Sequence, residues 1–271
     1  MPANSPLIST AALDDLLGQV TVLDVRYRTG GETGREAYAA GHVPGAAYVD
    51  LDSDLAAPPG ERGRHPLPDA DAFGAAMRAA GVREDRAVVV YDDWSGQAAG
   101  RAWWLLRHHG HDDVRVLDGG WSAWRADGGA IETGVTLPGV GDFEAGPGRL
   151  PTVEVDGLLD VPVLVDARAP ERYRGEVEPI DPVAGHVPGA LNVPTSTNLR
   201  ADGRFRSADE LRVLYAASGV TGDQPVAVYC GSGVTACHDV LALAVAGIDA
   251  ALYPGSWSEW VADDRRPIEV G

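Results

Sequence analysis

The sequence predicts an α/β fold of two similar domains, each a parallel sheet flanked by helices. Three observations lead there. The hexapeptide Gly41-His42-Val43-Pro44-Gly45-Ala46 recurs unchanged at residues 185–190, which chance does not readily produce in a chain of this size. Around both copies, short β-branched runs alternate with helical patterns, the order that builds a parallel sheet covered by helices. The chain has 271 residues, 45% hydrophobic and 23% charged, enough for two cores at roughly 100–200 residues per domain.

Taken in order, the strand runs of the first half are residues 20–25, 87–91 and 114–117, and those of the second are 161–166, 226–229 and 250–253. Helical patterns cover residues 9–17, 70–80, 100–109, 208–217 and 235–246, and most are followed by the glycine expected at a helix end. The flanks of the hexapeptide repeat as well. Val22-Leu23-Asp24-Val25-Arg26 matches Val163-Leu164-Val165-Asp166-Ala167-Arg168, and Gly120-Trp121-Ser122-Ala123-Trp124 is echoed by Ser256-Trp257-Ser258-Glu259-Trp260. Between the copies, residues 133–152 are rich in Gly and Pro with little periodicity, which reads as a linker or surface connection. The boundary is placed near 145, giving domains 1–145 and 146–271.

Charge and composition exclude several functions. Lys plus Arg number 22 against 40 Asp plus Glu, a formal charge of −18, so phosphate backbones and anionic membrane surfaces are repelled and nucleic acid is not an expected partner. No apolar run approaches the roughly 18 residues of a membrane span, and the N-terminus lacks the basic and apolar regions of a signal peptide. A cytoplasmic location is expected. Two cysteines, Cys230 and Cys237, do not make a disulfide scaffold and suit a reducing compartment.

Ligands of open parallel sheets sit beyond the carboxyl ends of the strands, so the residues after Tyr91 and Tyr229 carry the functional weight. The second of these turns reads Cys230-Gly231-Ser232-Gly233-Val234-Thr235-Ala236 and runs into an apolar helix. Glycines let successive N–H groups curl inward into an anion-binding nest at the positive end of the helix dipole. Such a cradle favours a thiolate, the form in which cysteine is a nucleophile. Cys237, seven residues on, faces the same side of that helix and reads as core packing.

Here the chain resembles the rhodanese family of sulfurtransferases in its tandem form, over nearly its whole length. The Cys-Gly-Ser-Gly-Val-Thr loop is similar to that of the 3-mercaptopyruvate branch, and the paired Gly-His-Val-Pro-Gly-Ala motifs and the Trp-Ser-Glu-Trp segment look like other family signatures. The resemblance implies that Cys230 accepts a sulfane sulfur as a persulfide and passes it to a thiol, a thioredoxin-like protein or cyanide, with no metal or organic cofactor. It implies a proton relay of Ser232 with a histidine of the other domain, matched here by His42. It also implies donor binding by Arg172 and by the loop residues Gly231, Gly233, Val234 and Thr235. The branch commonly carries a second arginine a few residues after the first. This chain has none in Glu176-Val177-Glu178-Pro179-Ile180-Asp181-Pro182, and Arg174 is the substitute at hand. Gly231 and Ser232 stand where the thiosulfate branch places two cations, so 3-mercaptopyruvate is the expected donor and thiosulfate the alternative; a non-catalytic persulfide carrier is the second alternative.

In the first half the matching turn is Tyr91-Asp92-Asp93-Trp94-Ser95-Gly96. Asp92 stands in the nucleophile's place and cannot form a persulfide, so the first domain is expected to be inert. His186 repeats His42 and reads as turn-forming. The cluster His108-His109-Gly110-His111 follows a helix end without metal-ligand partners and reads as solvated surface, and the tryptophans read as packing. Cysteine-dependent phosphatase chemistry needs an arginine six residues after the nucleophile; Ala236 stands there, and the oxyanion would lack its charge stabiliser. Disulfide exchange lacks a Cys-x-x-Cys pair.

Overall fold

A computed structural model describes residues 5–28 and 31–271. The chain forms two compact units. The first comprises the chain to Ala57 together with Pro68–Leu150 and Ala201–Phe205; the second comprises Pro58–Leu67, Pro151–Arg200 and Arg206–Gly271. The division after Leu150 lies beyond the expected residue 145 because the connection is tied down. The N–H groups of Gly141, Gly146 and Arg149 donate to the carbonyls of Arg78, His109 and His108 at 2.8, 2.9 and 2.8 Å, and Phe143 is buried, edge-on to Phe73. A segment of sequence that reads as a linker is therefore a strap on the first unit.

The first unit contains β1 (Leu7–Ile8), α1 (Thr10–Leu16), β2 (Thr21–Asp24), α2 (Gly34–Ala40), β3 (Ala47–Tyr48), α3 (Leu51–Asp54), α4 (Ala70–Ala79), β4 (Val88–Tyr91), α5 (Gln97–His108), β5 (Val114–Leu117) and α6 (Gly120–Ala126). Its five strands pair in the order β1-β5-β4-β2-β3, all parallel. The second unit contains β6 (Val163–Asp166), α7 (Pro170–Tyr173), β7 (Leu191–Asn192), α8 (Ala208–Ala217), β8 (Val226–Tyr229), α9 (Ala236–Ala246), β9 (Ala251–Leu252) and α10 (Ser256–Trp260). Its four parallel strands run β7-β6-β8-β9. The central strands β4 and β8 are buried along their whole length, as unbroken apolar runs require when helices cover both faces of a sheet. Helix starts follow local chemistry. Thr33 and Glu36 form a capping box for α2, and Ser207 and Glu210 form another for α8, each satisfying two orphan N–H groups.

The repeated hexapeptide makes the same contacts in both units. Arg26 grips Asp24 at 2.6 Å and donates to the Gly41 carbonyl at 2.7 Å; Arg168 grips Asp166 and the Gly185 carbonyl at the same two distances. The N–H of Val43 donates to the Tyr91 hydroxyl, and that of Val187 to the Tyr229 hydroxyl. Each motif arginine also stacks over a tryptophan, Trp121 or Trp257. A buried Arg–Asp pair that also donates to a carbonyl, and in the second unit meets Glu178 at 3.4 Å as well, is satisfied rather than reactive, so the motif is a brace. Among the described residues no helix is long and apolar enough to cross a membrane.

Candidate active site

β8 ends at Tyr229 and delivers Cys230 to the turn before α9. Cys230 is almost wholly buried. Gly233 adopts φ 80°, a left-handed conformation that glycine takes without steric cost, and its N–H donates to Cys230 Sγ at 3.2 Å. The next peptide group along is held too, because the Cys237 thiol donates to the Gly233 carbonyl at 3.3 Å. Cys237 is thus buried as expected, and it holds the glycine whose N–H touches the candidate nucleophile. Gly231, Ser232, Gly233 and Val234 are all buried and Thr235 is half-buried at the start of the helix, so the loop closes over Sγ as a short bowl.

Ser256 completes the bowl from α10. It is fully buried and has φ 54°, uncommon for a residue with a side chain. Its Oγ accepts the Cys230 N–H at 3.1 Å and lies 3.0 Å from the Tyr253 carbonyl and 4.0 Å from Sγ. In the sequence Ser256 shows only as the first residue of the segment that echoes Gly120–Trp124; nothing there marks its contact with Cys230.

The structure gives the expected relay partners, Ser232 and His42, other hydrogen-bond partners. Ser232 Oγ is hydrogen-bonded to Nδ1 of His65, at 2.8 Å. His42 is fully buried within the first unit, stacked on Tyr38, with Nδ1 2.9 Å from the Tyr38 carbonyl and Nε2 3.1 Å from Thr136 Oγ1. His186 repeats the arrangement, stacked on Tyr173 with Nδ1 2.7 Å from the Tyr173 carbonyl. Two histidines in equivalent sockets, only one of them in the unit with a nucleophile, hold turns. In each, backbone hydrogen bonds pair the histidine with a later glutamate, Glu132 or Glu269.

His65 comes from the segment Pro58–Leu67, which belongs to the second unit. Gly60 and Gly63 exchange backbone hydrogen bonds at 3.0 Å to form a tight turn. A Cβ on Gly63 would stand 2.7 Å from the Gly255 carbonyl oxygen, so only glycine lets this turn seat against the start of α10. The Arg64 N–H then donates to Ser258 Oγ at 3.1 Å. Seated this way, consecutive residues present a guanidinium and an imidazole to the Cys230 loop. A signal was available: His65 is the only histidine of the first half outside the hexapeptide and the 108–111 cluster, and it lies in a Gly- and Pro-rich stretch that no repeat explains.

The arginines are likewise redistributed. Arg172, on α7, is placed as expected: a Cβ added to Gly231 would lie 3.6 Å from its Nη1. Arg174 is not its companion, being exposed and paired with Glu176 at 2.7 Å. The second guanidinium at the loop is that of Arg64, with Nη2 only 3.1 Å from the same point. The His108–His111 cluster is not solvated surface either. His109 and His111 are buried, and ring nitrogens of all three histidines meet backbone carbonyls of Leu150, Gly146, Arg83 and Arg86. Among the described residues no group of three or more His, Cys, Asp or Glu is placed to hold a metal ion.

The rhodanese-like domain profile matches residues 9–127 and 153–263, one copy in each half. The chain belongs to the rhodanese-like domain family. A Mycobacterium tuberculosis relative, provisionally named a thiosulfate sulfurtransferase, is 46% identical, with all of this chain and 99% of that protein aligned. The 3-mercaptopyruvate sulfurtransferase of Escherichia coli K12 is 37% identical over 93% of this chain and 92% of that one. The crystal structure of the E. coli 3-mercaptopyruvate sulfotransferase SseA superposes with a TM-score of 0.82 at 33% identity, covering 94% of this chain and 99% of its own. This rhodanese-like chain thus shares both its length and its two-domain plan with sulfurtransferases.

Proposed function

We propose that this protein is a sulfurtransferase that takes sulfur from 3-mercaptopyruvate, holds it as a Cys230 persulfide and passes it to a thiol, a thioredoxin-like protein or cyanide. The observation that carries the reading is the 2.8 Å hydrogen bond between Ser232 and His65 beside Cys230. The Cys230 thiolate attacks the donor's sulfur, the donor's C–S bond breaks, and its electron pair stays on carbon as the enolate of pyruvate. That enolate needs a proton, which the Ser232 hydroxyl delivers with His65 as the group that resupplies it. Arg172 and Arg64 hold the donor carboxylate. The terminal persulfide sulfur rests against the Gly233 N–H and its neighbours until an acceptor thiolate attacks it and releases Cys230 as thiolate. The steps need no metal or organic cofactor, and a reducing, thiol-rich cytoplasm supplies suitable acceptors.

Thiosulfate is the second reading, favoured by the name of the M. tuberculosis relative. Steady-state rates with each donor, cyanide as acceptor and Cys230→Ser as control decide between them. The expected result is a clear mercaptopyruvate preference that vanishes in the variant with its folding intact. A thiosulfate preference would remove the need for a proton relay and overturn the assignment.

A further inference from the structure

The two arginines at the Cys230 loop do not stand alone. Arg172 donates through Nε and Nη2 to the two oxygens of Glu178 at 3.1 and 2.6 Å, and Nη2 also meets Asp181 at 3.3 Å. Arg64 donates through Nη1 to the other oxygen of Asp181. Both acids are deeply buried, with side chains 4% and 3% exposed. The N–H groups of Ile180 and Asp181 add two further hydrogen bonds to Glu178 at 3.1 Å. Burial pushes the Glu178 carboxyl up, but the Arg172 fork and those two amides outweigh it and hold it below its ordinary value. Nearest Gly231 is Arg64 Nη2, with Nη1 and Nη2 of Arg172 next and equally near; Arg172 Nη2 is held by both carboxylates, while Arg64 Nη2 and Arg172 Nη1 are left to face the loop. Arg168, already paired with Asp166 at 2.6 Å, also meets Glu178 at 3.4 Å, so three arginines and three carboxylates sit together in balance, with Arg64 and Arg172 the guanidinium groups that reach the loop.

We infer that Glu178 and Asp181 are specificity-determining residues, which cancel the formal charge of Arg64 and Arg172 and so set the site for a donor with one negative charge over a donor with two. The inference rests on the reading of the Cys230 loop as a sulfurtransferase site. A carboxylate needs two convergent N–H donors, which the neutralised pair still offers. A dianion gains most from net positive charge, which the pair no longer has. The stretch that reads in sequence as lacking a second arginine is thus the stretch that supplies the counter-charges.

The test is the ratio of kcat/KM for thiosulfate to that for 3-mercaptopyruvate, with cyanide as acceptor. Asp181→Asn and Glu178→Gln each leave the arginines one charge in excess, and each is expected to raise the ratio about tenfold, since removing a buried charge some 5 Å away is worth at least that. Asp181→Glu keeps the charge and keeps the ratio within about threefold of the native value. Glu176→Gln removes an exposed carboxylate from the same segment and leaves the ratio unchanged. If either neutral variant fails to fold, as judged by circular dichroism, the other carries the test. A second readout uses the Cys230→Ser protein, in which calorimetry compares pyruvate with sulfate; adding Asp181→Asn is expected to shift binding towards sulfate. An unchanged ratio in the folded neutral variants overturns the inference even if the native protein prefers mercaptopyruvate. A native preference for thiosulfate overturns the proposed donor, while a tenfold rise in the variants would still uphold the charge effect.

Discussion

The turn after β4 and the turn after β8 are the same backbone device with different contents. In both, the first residue's carbonyl accepts the N–H of a downstream tryptophan: Trp121 to Asp92 at 2.8 Å, and Trp257 to Cys230 at 2.9 Å. In the first unit the nest is filled from within, because the Asp92 carboxylate accepts the N–H groups of Trp94, Gly96 and Ala99 at 2.9, 2.8 and 2.9 Å. Burial raises the Asp92 carboxyl while those three amides pull it down. In the second unit a shorter side chain leaves Sγ with the Gly233 N–H. What the comparison teaches is that this turn wants an anion. One copy fills the nest with its own carboxyl group, and under the proposed function the other receives a transferred sulfur.

The contrast is broken most severely at the relay. His65→Ala and Ser232→Ala are each expected to lower kcat/KM for 3-mercaptopyruvate by about 10²–10³, the usual value of a positioned acid–base group, and the double variant by little more than either. His42→Ala, which alters the first unit's copy of a socket that each unit has, lowers stability by about 1–2 kcal/mol in urea titration through the loss of buried hydrogen bonds and leaves that rate near native. A comparable drop in rate for His42→Ala would return it to the chemistry. Asp92→Ala empties the inert nest and strands three amides, costing about 2–3 kcal/mol of stability; a neutral result would mean that water fills the nest as well as a carboxylate does. The smallest effect is expected at Ser256, whose counterpart Gly120 has nearly the same φ, 56° against 54°. Ser256→Gly relieves the left-handed backbone but loses the hydroxyl that accepts the Cys230 N–H. Stability should change by less than about 1 kcal/mol as the two effects offset, while sulfur transfer falls several-fold. An unchanged rate would reduce Ser256 to a filler.

The repeat made the two-unit fold and the position of Cys230 legible, since β2, β4, β5, β6 and β8 are β-branched runs and α1, α4, α5, α8 and α9 have room to show a period. The two-residue strands β1, β3 and β7 are too short to carry one, and β9, equally short, lies within the expected run 250–253. The family resemblance, not the repeat, points to His42. His42 is duplicated, and duplication marks what both units need to fold, whereas chemistry confined to one unit must come from what is not duplicated. Pro58–Leu67 is such a stretch, and its side chains meet Ser232 and Asp181 across 167 and 117 residues of sequence. Arg174 stands close to Arg172 in sequence, but its guanidinium is exposed and paired with Glu176 at 2.7 Å. The histidines at 108–111 read as surface because their carbonyl partners lie in a strap whose Gly and Pro content conceals its order.

The ten-residue turn that carries Arg64 and His65 has a consequence for how this chain can be divided. It is encoded ahead of the inert half's longest helix, yet it supplies the working half. A fragment beginning at Pro151 would contain the cysteine and all four strands of its sheet while lacking Arg64 and His65, which meet its loop. Cutting the chain at the repeat boundary therefore does not return two self-sufficient copies: it strips the second of side chains that its own cysteine loop touches.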